Sequence, residues 1–221
     1  MKKTALSIPL RIFLFISGLY IMGFGVALSV TADLGTTPIS SLPFVLSVIT
    51  PLSMGMVTFI MNMVFVLIQI LILRKDFKKW YLLQIPSLFL FSAFIDLNNY
   101  LLSGAVMGAY WQQFLIMLLG CVVLAFGIFL LIKADFVMMP GDFLVRIISK
   151  VTKKNFGHVK VCFDCIIVAA AAIVSFASLQ YIVGIREGSL VAAVLVGFIV
   201  NFYGKIFTRQ GLKRTRPQGR Q

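Results

Sequence analysis

Five carboxylates of this chain stand where carboxylates are expensive. Of its seven acidic residues, Asp33, Asp96, Asp135, Asp142 and Asp164 fall in or at the ends of long apolar runs, whereas Asp76 and Glu187 sit among ordinary loop residues. A carboxylate at the centre of a bilayer costs about 2.5–3.5 kcal/mol on insertion scales, so such a residue pairs with a cation or faces a cavity. Lys160 precedes Asp164 by four residues, which places both on one face of a helix. That pair either neutralises two costly charges or exchanges a proton on a substrate path, and the spacing alone leaves both open. Asn62 lies about two turns into another apolar run, where folding can bring it to a depth similar to that of Asp164.

Asp33 and Asp135 each close an apolar run just before a break. The breaks read Gly35-Thr36-Thr37-Pro38 and Val137-Met138-Met139-Pro140. Proline removes a donor and disfavours helix in the residue before it, and the freed backbone groups are tolerated at membrane depth only inside protein or a wet cavity. Each aspartate therefore either ends its span and caps the short helix that follows, or helps build the core of a binding site. At the first break Thr36, Thr37, Ser40 and Ser41 set hydroxyls at the start of a short helix, a setting suited to a polar or anionic solute. The second break carries Met138, Met139, Gly141 and Asp142 instead, so a site built from both is asymmetric.

Other chemistry finds little support. Cys162 and Cys165 form C-x-x-C within an apolar helix, without the strand and helix of a redox domain, and read with Cys121 as reduced, buried thiols. His158 is the single histidine and has no cysteine partners at metal spacing, so no metal is expected. Gly18, Gly23 and Gly25 lie in mid-run, where they permit close helix contact rather than form a phosphate loop. Neither a nucleophile elbow nor a phosphate-binding loop is present, and the chain reads as a non-enzyme without a cofactor.

The elements that must hold these residues follow from composition. Only 12% of the 221 residues are charged against 60% hydrophobic, too few to cover a water-facing surface that ordinarily carries roughly a quarter charged residues. Runs long enough to cross the roughly 30 Å of hydrocarbon occur at about 8–31, 54–73, 80–101, 112–132, 157–178 and 187–207. The first run is too long for the core of a cleaved signal peptide, though Val30-Thr31-Ala32 resembles a cleavage site. The fold class is all-α transmembrane: six spans and two short helices, in one membrane domain over 1–207.

Offsetting the chain by 102 aligns 18–62 with 120–164 without a gap and matches 12 of 45 positions, among them Gly18/Gly120, Gly25/Gly127, Asp33/Asp135, Pro38/Pro140 and Gly55/Gly157. Two repeats follow, at about 8–101 and 112–207. Each contains a short apolar piece, 39–50 and 141–150, of about 18 Å at 1.5 Å per residue, which re-enters or lies at the interface rather than crosses. In the second, Asp142, Arg146 and Lys150 form one polar face. With six spans and both termini inside, all basic groups except Arg186 fall on the cytoplasmic side; with eight spans Arg74, Lys75, Lys78 and Lys79 would face outward. Six spans satisfy the rule, and three spans per repeat make the two copies insert in opposite orientations.

The net charge of +13 resides in the loops, so it reports topology and anionic lipid contact rather than nucleic acid. Residues 208–221, with Lys213, Arg214, Arg216 and Arg220, read as a basic, disordered cytoplasmic tail. Trp80, Tyr81, Tyr100, Tyr110 and Trp111 flank the spans as an aromatic belt, and Asp96 with Asn98 and Asn99 reads as an interfacial anchor. Self-association into a homo-oligomer is open.

The run from Ala32 to Leu42, followed by Gly55, Asn62 and Arg74-Lys75-Asp76-Phe77, resembles the YczE/YyaS/YitT family of bacterial membrane proteins, most strongly over 18–100. The chain lacks the soluble C-terminal domain of the YitT branch and is similar to the shorter YczE branch. The resemblance implies a multi-pass plasma-membrane protein and names no substrate. From the residues, the expected function is a small secondary transporter or channel for a polar or anionic solute. Its path uses Asp33, Thr36, Thr37, Pro38, Ser40, Asn62, Asp135, Pro140, Asp142, Lys160 and Asp164. The alternative is a non-transporting scaffold that assists another membrane or envelope protein.

Overall fold

The computed structural model describes residues 7–105 and 108–214 and is helical throughout. Among the described residues eight α-helices follow one another: α1 (Ile8–Thr31), α2 (Pro38–Ile49), α3 (Met54–Leu73), α4 (Gln84–Leu102), α5 (Tyr110–Ala134), α6 (Pro140–Thr152), α7 (Phe156–Leu179) and α8 (Glu187–Arg214). Single 3₁₀ turns at Arg74–Asp76 and Lys79–Leu83 join α3 to α4. Among the described residues five helices, α1, α3, α4, α5 and α7, are long and apolar enough to cross a membrane; the apolar part of α8, Glu187–Val200, is shorter. The protein is an integral membrane protein.

Helix boundaries follow the residues that set them. Pro38 and Pro140 occupy the first positions of α2 and α6, where a missing N–H costs nothing. Ser53 caps α3 by accepting from the Met56 N–H, and Asn155 caps α7 by accepting from the Gly157 N–H. Asp33 and Asp135 both adopt left-handed backbone, with φ of 54° and 47°. Aspartate tolerates that region better than most side chains, so both copies can turn sharply out of a span on the same residue type. Neither caps the helix that follows: Thr37 and Met139 hold those N-cap places without a side-chain bond.

The halves share one order of long helix, short helix, long helix and long helix, with starts 102 residues apart for α1/α5, α2/α6 and α3/α7. At the centre α1 and α5 cross antiparallel. Gly18 lies against Gly127, Leu130 and Leu131, and Gly120 against Gly25, Leu28 and Ser29, so each glycine meets the partner of its own counterpart. A Cβ on Gly25 would fall 2.5–2.8 Å from Leu124, which explains why these mid-span positions are glycine. Beside this contact, Leu19, Met22 and Val26 of α1 join Leu88, Phe91 and Ile95 of α4 in the largest core.

A second core is built from matched residues. Phe65 and Ile167, Leu42 and Leu144, and Met61 and Phe163 are all 102 residues apart, and all pack together where the α2–α3 and α6–α7 hairpins meet. Two expectations change. Cys162 and Cys165 are exposed on α7, and only Cys121 is buried; a thiol facing acyl chains loses no hydrogen bond worth keeping, so apolar sequence did not require burial in protein. Helix α8 continues to Arg214 and so takes in 208–214 of the segment read as a tail. Lys2, Lys3 and 215–221 lie outside the described residues.

Candidate functional site

Three of the path residues form one charged cluster. Lys160 on α7 places Nζ 3.2 Å from an Asp142 carboxylate oxygen on α6 and 3.0 Å from one on Asp164, one turn further along α7. The side chains keep 28%, 41% and 23% of their exposure, so one lysine serves two carboxylates in a partly shielded setting. The strongly amphipathic sequence of α6 positions Asp142: Leu144, Val145 and Ile147 turn into the core while Arg146 and Lys150 stay out. With two of its three N–H groups given to the aspartates, the lysine keeps one donor for a polar ligand.

The first half puts neutral groups in the matching places. Ser40, Thr58 and Asn62 precede Asp142, Lys160 and Asp164 by 102 residues, and all three are buried. Asn62 Nδ2 donates to Thr58 O at 2.9 Å, Thr58 Oγ1 to Met54 O at 2.7 Å, and Thr37 Oγ1 to Ser40 Oγ at 2.9 Å. Asn62 and Asp164 are not joined by a hydrogen bond; each stays with its own half.

Between the two groups the N-terminal turns of α2 and α6 touch. Ile39 Cδ1 packs directly on Gly141, its counterpart, so tightly that a Cβ there would collide with it. Two helix N-termini, each with unpaired N–H groups and the positive end of its dipole, therefore start side by side from Pro38 and Pro140. Gln69 of α3 ties in here: its Nε2 donates to Pro140 O at 3.0 Å and its amide pairs with that of Gln84 on α4. Both glutamines are buried.

Asp33 and Asp135 lie at opposite ends of the antiparallel α1/α5 pair, away from the cluster, with exposed side chains. Their backbone carbonyls are what the protein uses. Arg186 Nη1 donates to Asp33 O at 2.9 Å, and Arg11 donates to Ala134 O at 2.8 Å and to Asp135 O. Each arginine meets the carbonyl-rich C-terminal end of a long helix in the other half, where a cation is favoured. Thr36 and Thr37 are buried behind Asp33.

Sequence reasoning missed Arg11, Arg186, the glutamine pair and the part played by Asp96. The Asp96 carboxylate accepts from Ser53 Oγ at 2.6 Å and from the Gly55 N–H at 2.7 Å, so α4 caps the N-terminus of α3. It anchors two helices to each other. Among the described residues no group of three or more His, Cys, Asp or Glu is placed to hold a metal ion.

These features belong to a multi-pass α-helical membrane protein with a partly shielded charged cluster between α6 and α7. The sequence pattern of DUF6198, a family of unknown function, matches residues 9–205, and the chain belongs to that family. No curated protein matches the chain, and no solved structure does.

Proposed function

We propose that this protein is a small secondary transporter or channel for a polar or anionic solute. One observation carries the reading: the N-terminal turns of α2 and α6 meet at Ile39 and Gly141, which puts the hydroxyl-rich Thr36–Ser41 segment against the start of the helix that brings Asp142 to Lys160 and Asp164. Helix N-termini attract negative groups, hydroxyls replace a hydration shell, and the lysine between carboxylates can exchange one of them for a ligand while the released carboxylate takes up a proton. Asp33 and Asp135 then mark the two ends of the path rather than its centre.

In this reading the two halves form an inverted-topology repeat, supported by the antiparallel crossing of α1 and α5. The positive-inside rule puts the end bearing Arg11, Arg74, Lys75, Lys78 and Lys79 in the cytoplasm, where basic residues meet anionic lipid heads. The resemblance to the short YczE branch supports the plasma membrane of a bacterium, and the chain works without catalysing a reaction.

The test is flux into proteoliposomes across a panel of organic anions, amino acids and inorganic ions. Transport above empty vesicles that falls on Lys160→Met supports the proposal. Absence of flux for every solute, with Asp164→Asn leaving function in cells intact and a partner protein co-purifying, favours the scaffold instead.

A further inference from the structure

The two breaks are not sealed alike. At the Asp33 end, Thr36 N donates to Gly184 O at 3.0 Å and Gly188 N donates to Leu34 O at 3.0 Å, zipping the first break to the segment before α8 and to the first turn of that helix. Leu34 is fully buried and Thr36 nearly so. Gly35, at φ 107°, packs so closely on Ser189 that a Cβ would strike the hydroxyl.

At the other end the residues 102 positions away are Phe136 for Leu34, Met138 for Thr36, Leu82 for Gly184, Gln84 for Arg186 and Pro86 for Gly188. The starts of α4 and α8, Gln84 and Glu187, are 103 residues apart, so Gly188 falls opposite Ile85 or Pro86, and the proline has no N–H to donate. Among the described residues no backbone hydrogen bond joins 136–138 to 80–86. A cavity of about 110 Å³ occupies that place instead, lined by Trp80, Tyr81, Gln84, Phe136, Val137 and Met138. The cavity thus sits where the symmetry-related position is a closed seam.

We propose that this cavity is the solute's entry and exit site on the basic face, and that the Leu34–Thr36/Gly184–Gly188 seam is its closed counterpart on the opposite face. The conformer is then the one with its basic end open and the Leu34–Thr36 seam closed. The site takes a small polar solute, whose apolar part meets the aromatic walls while its polar groups pass to the Gln84–Gln69 amides beside Pro140. The proposal deepens the transport reading and rests on it.

Cysteine accessibility tests it. Cys121, Cys162 and Cys165 are first replaced, and Val137→Cys and Thr36→Cys are placed singly in full-length protein in phosphatidylethanolamine/phosphatidylglycerol vesicles. A membrane-impermeant maleimide is then added to either face. Val137→Cys is expected to react from the basic face at least about tenfold faster than Thr36→Cys from either face, since sealed sites react only through opening. Adding Gly188→Ala, whose methyl would collide with Leu34 O and Met117, should raise Thr36→Cys labelling about fivefold or more by prising the seam. Val137→Cys silent from both faces while exposed Asp135→Cys reacts, Thr36→Cys as fast as Val137→Cys, or no response to Gly188→Ala each overturns the proposal. Met138→Cys and Leu34→Cys replace any variant that fails to elute as a single species. Flux without Val137→Cys labelling removes the mouth and leaves transport; the labelling pattern without flux removes transport and leaves the mouth.

Discussion

Ser40, Thr58 and Asn62 in the first half occupy the positions that Asp142, Lys160 and Asp164 occupy in the second, and the two sets solve the same problem differently. The first set is buried and satisfied by short bonds within the half: Thr58 and Asn62 turn back onto carbonyls one turn away, and Ser40 Oγ accepts a hydrogen bond from Thr37. The second is charged, keeps about a quarter to two-fifths exposure and spans two helices. Neutral groups that bond to their own backbone can be sealed at low cost, whereas charges tolerate burial only while paired. One half is therefore fixed and the other is free to change partners.

The comparison can be pressed hardest at the capping glycines. Gly55→Ala should cost about 3 kcal/mol or more, since its Cβ would run into Ser92 O and the Asp96 carboxylate, an overpacking that also breaks a cap. Gly157→Ala, its counterpart, meets only Asn155 Oδ1 at 3.4 Å and should stay within about 0.5 kcal/mol. Thermal unfolding in detergent distinguishes them, and equal losses would remove the asymmetry.

Lys160→Met comes next. It leaves two carboxylates facing one another and should cost about 2–3 kcal/mol, below the roughly 3–5 kcal/mol of a fully buried pair because the side chains are partly exposed. Replacing all three residues by those of the first half, as Asp142→Ser with Lys160→Thr and Asp164→Asn, should restore stability to within about 1 kcal/mol, since no unpaired charge remains. Flux should still be lost; flux retained in the triple variant would mean the charges are structural.

Asp96→Asn should cost about 1–2 kcal/mol, because a neutral amide accepts more weakly from Ser53 and Gly55. The smallest effect belongs to Arg11→Ala, about 0.5–1 kcal/mol for a cation at a helix C-terminus near the surface. Its mark should be a protease-sensitive α5–α6 turn, with the Asp33 turn unchanged.

Much of the architecture was written in local pattern. Span lengths, proline starts and the 102-residue spacing are properties of consecutive residues, and the Lys160–Asp164 pair is one helical turn. Asp142 was legible as a polar residue, but its meeting with Lys160 needed the packing of α6 on α7. Arg11 and Arg186 bond to backbone carbonyls 123 and 153 residues away, and a carbonyl acceptor leaves no side-chain trace in sequence. Asp96 looked like a surface anchor because its partners, a serine and a glycine N–H, are ordinary near a helix start. Pro86 near the start of α4 hinted at unequal seams, yet only the packing of the first break on α8 shows which backbone bonds close one end.

The reach of α4 back to α3 also bears on how the chain is made. Asp96 completes the start of α3 41 residues after Gly55, so these two helices can settle as a hairpin as soon as α4 emerges. The glycine face of α1 waits longer: Gly120 follows Gly25 by 95 residues, which at about 5–20 residues per second is roughly 5–20 s of synthesis. During that interval the central helix must be held in lipid or by the insertion machinery with its groove unfilled. The first half of this protein is thus a dependent intermediate in biogenesis, completed only when α5 arrives to fill that groove.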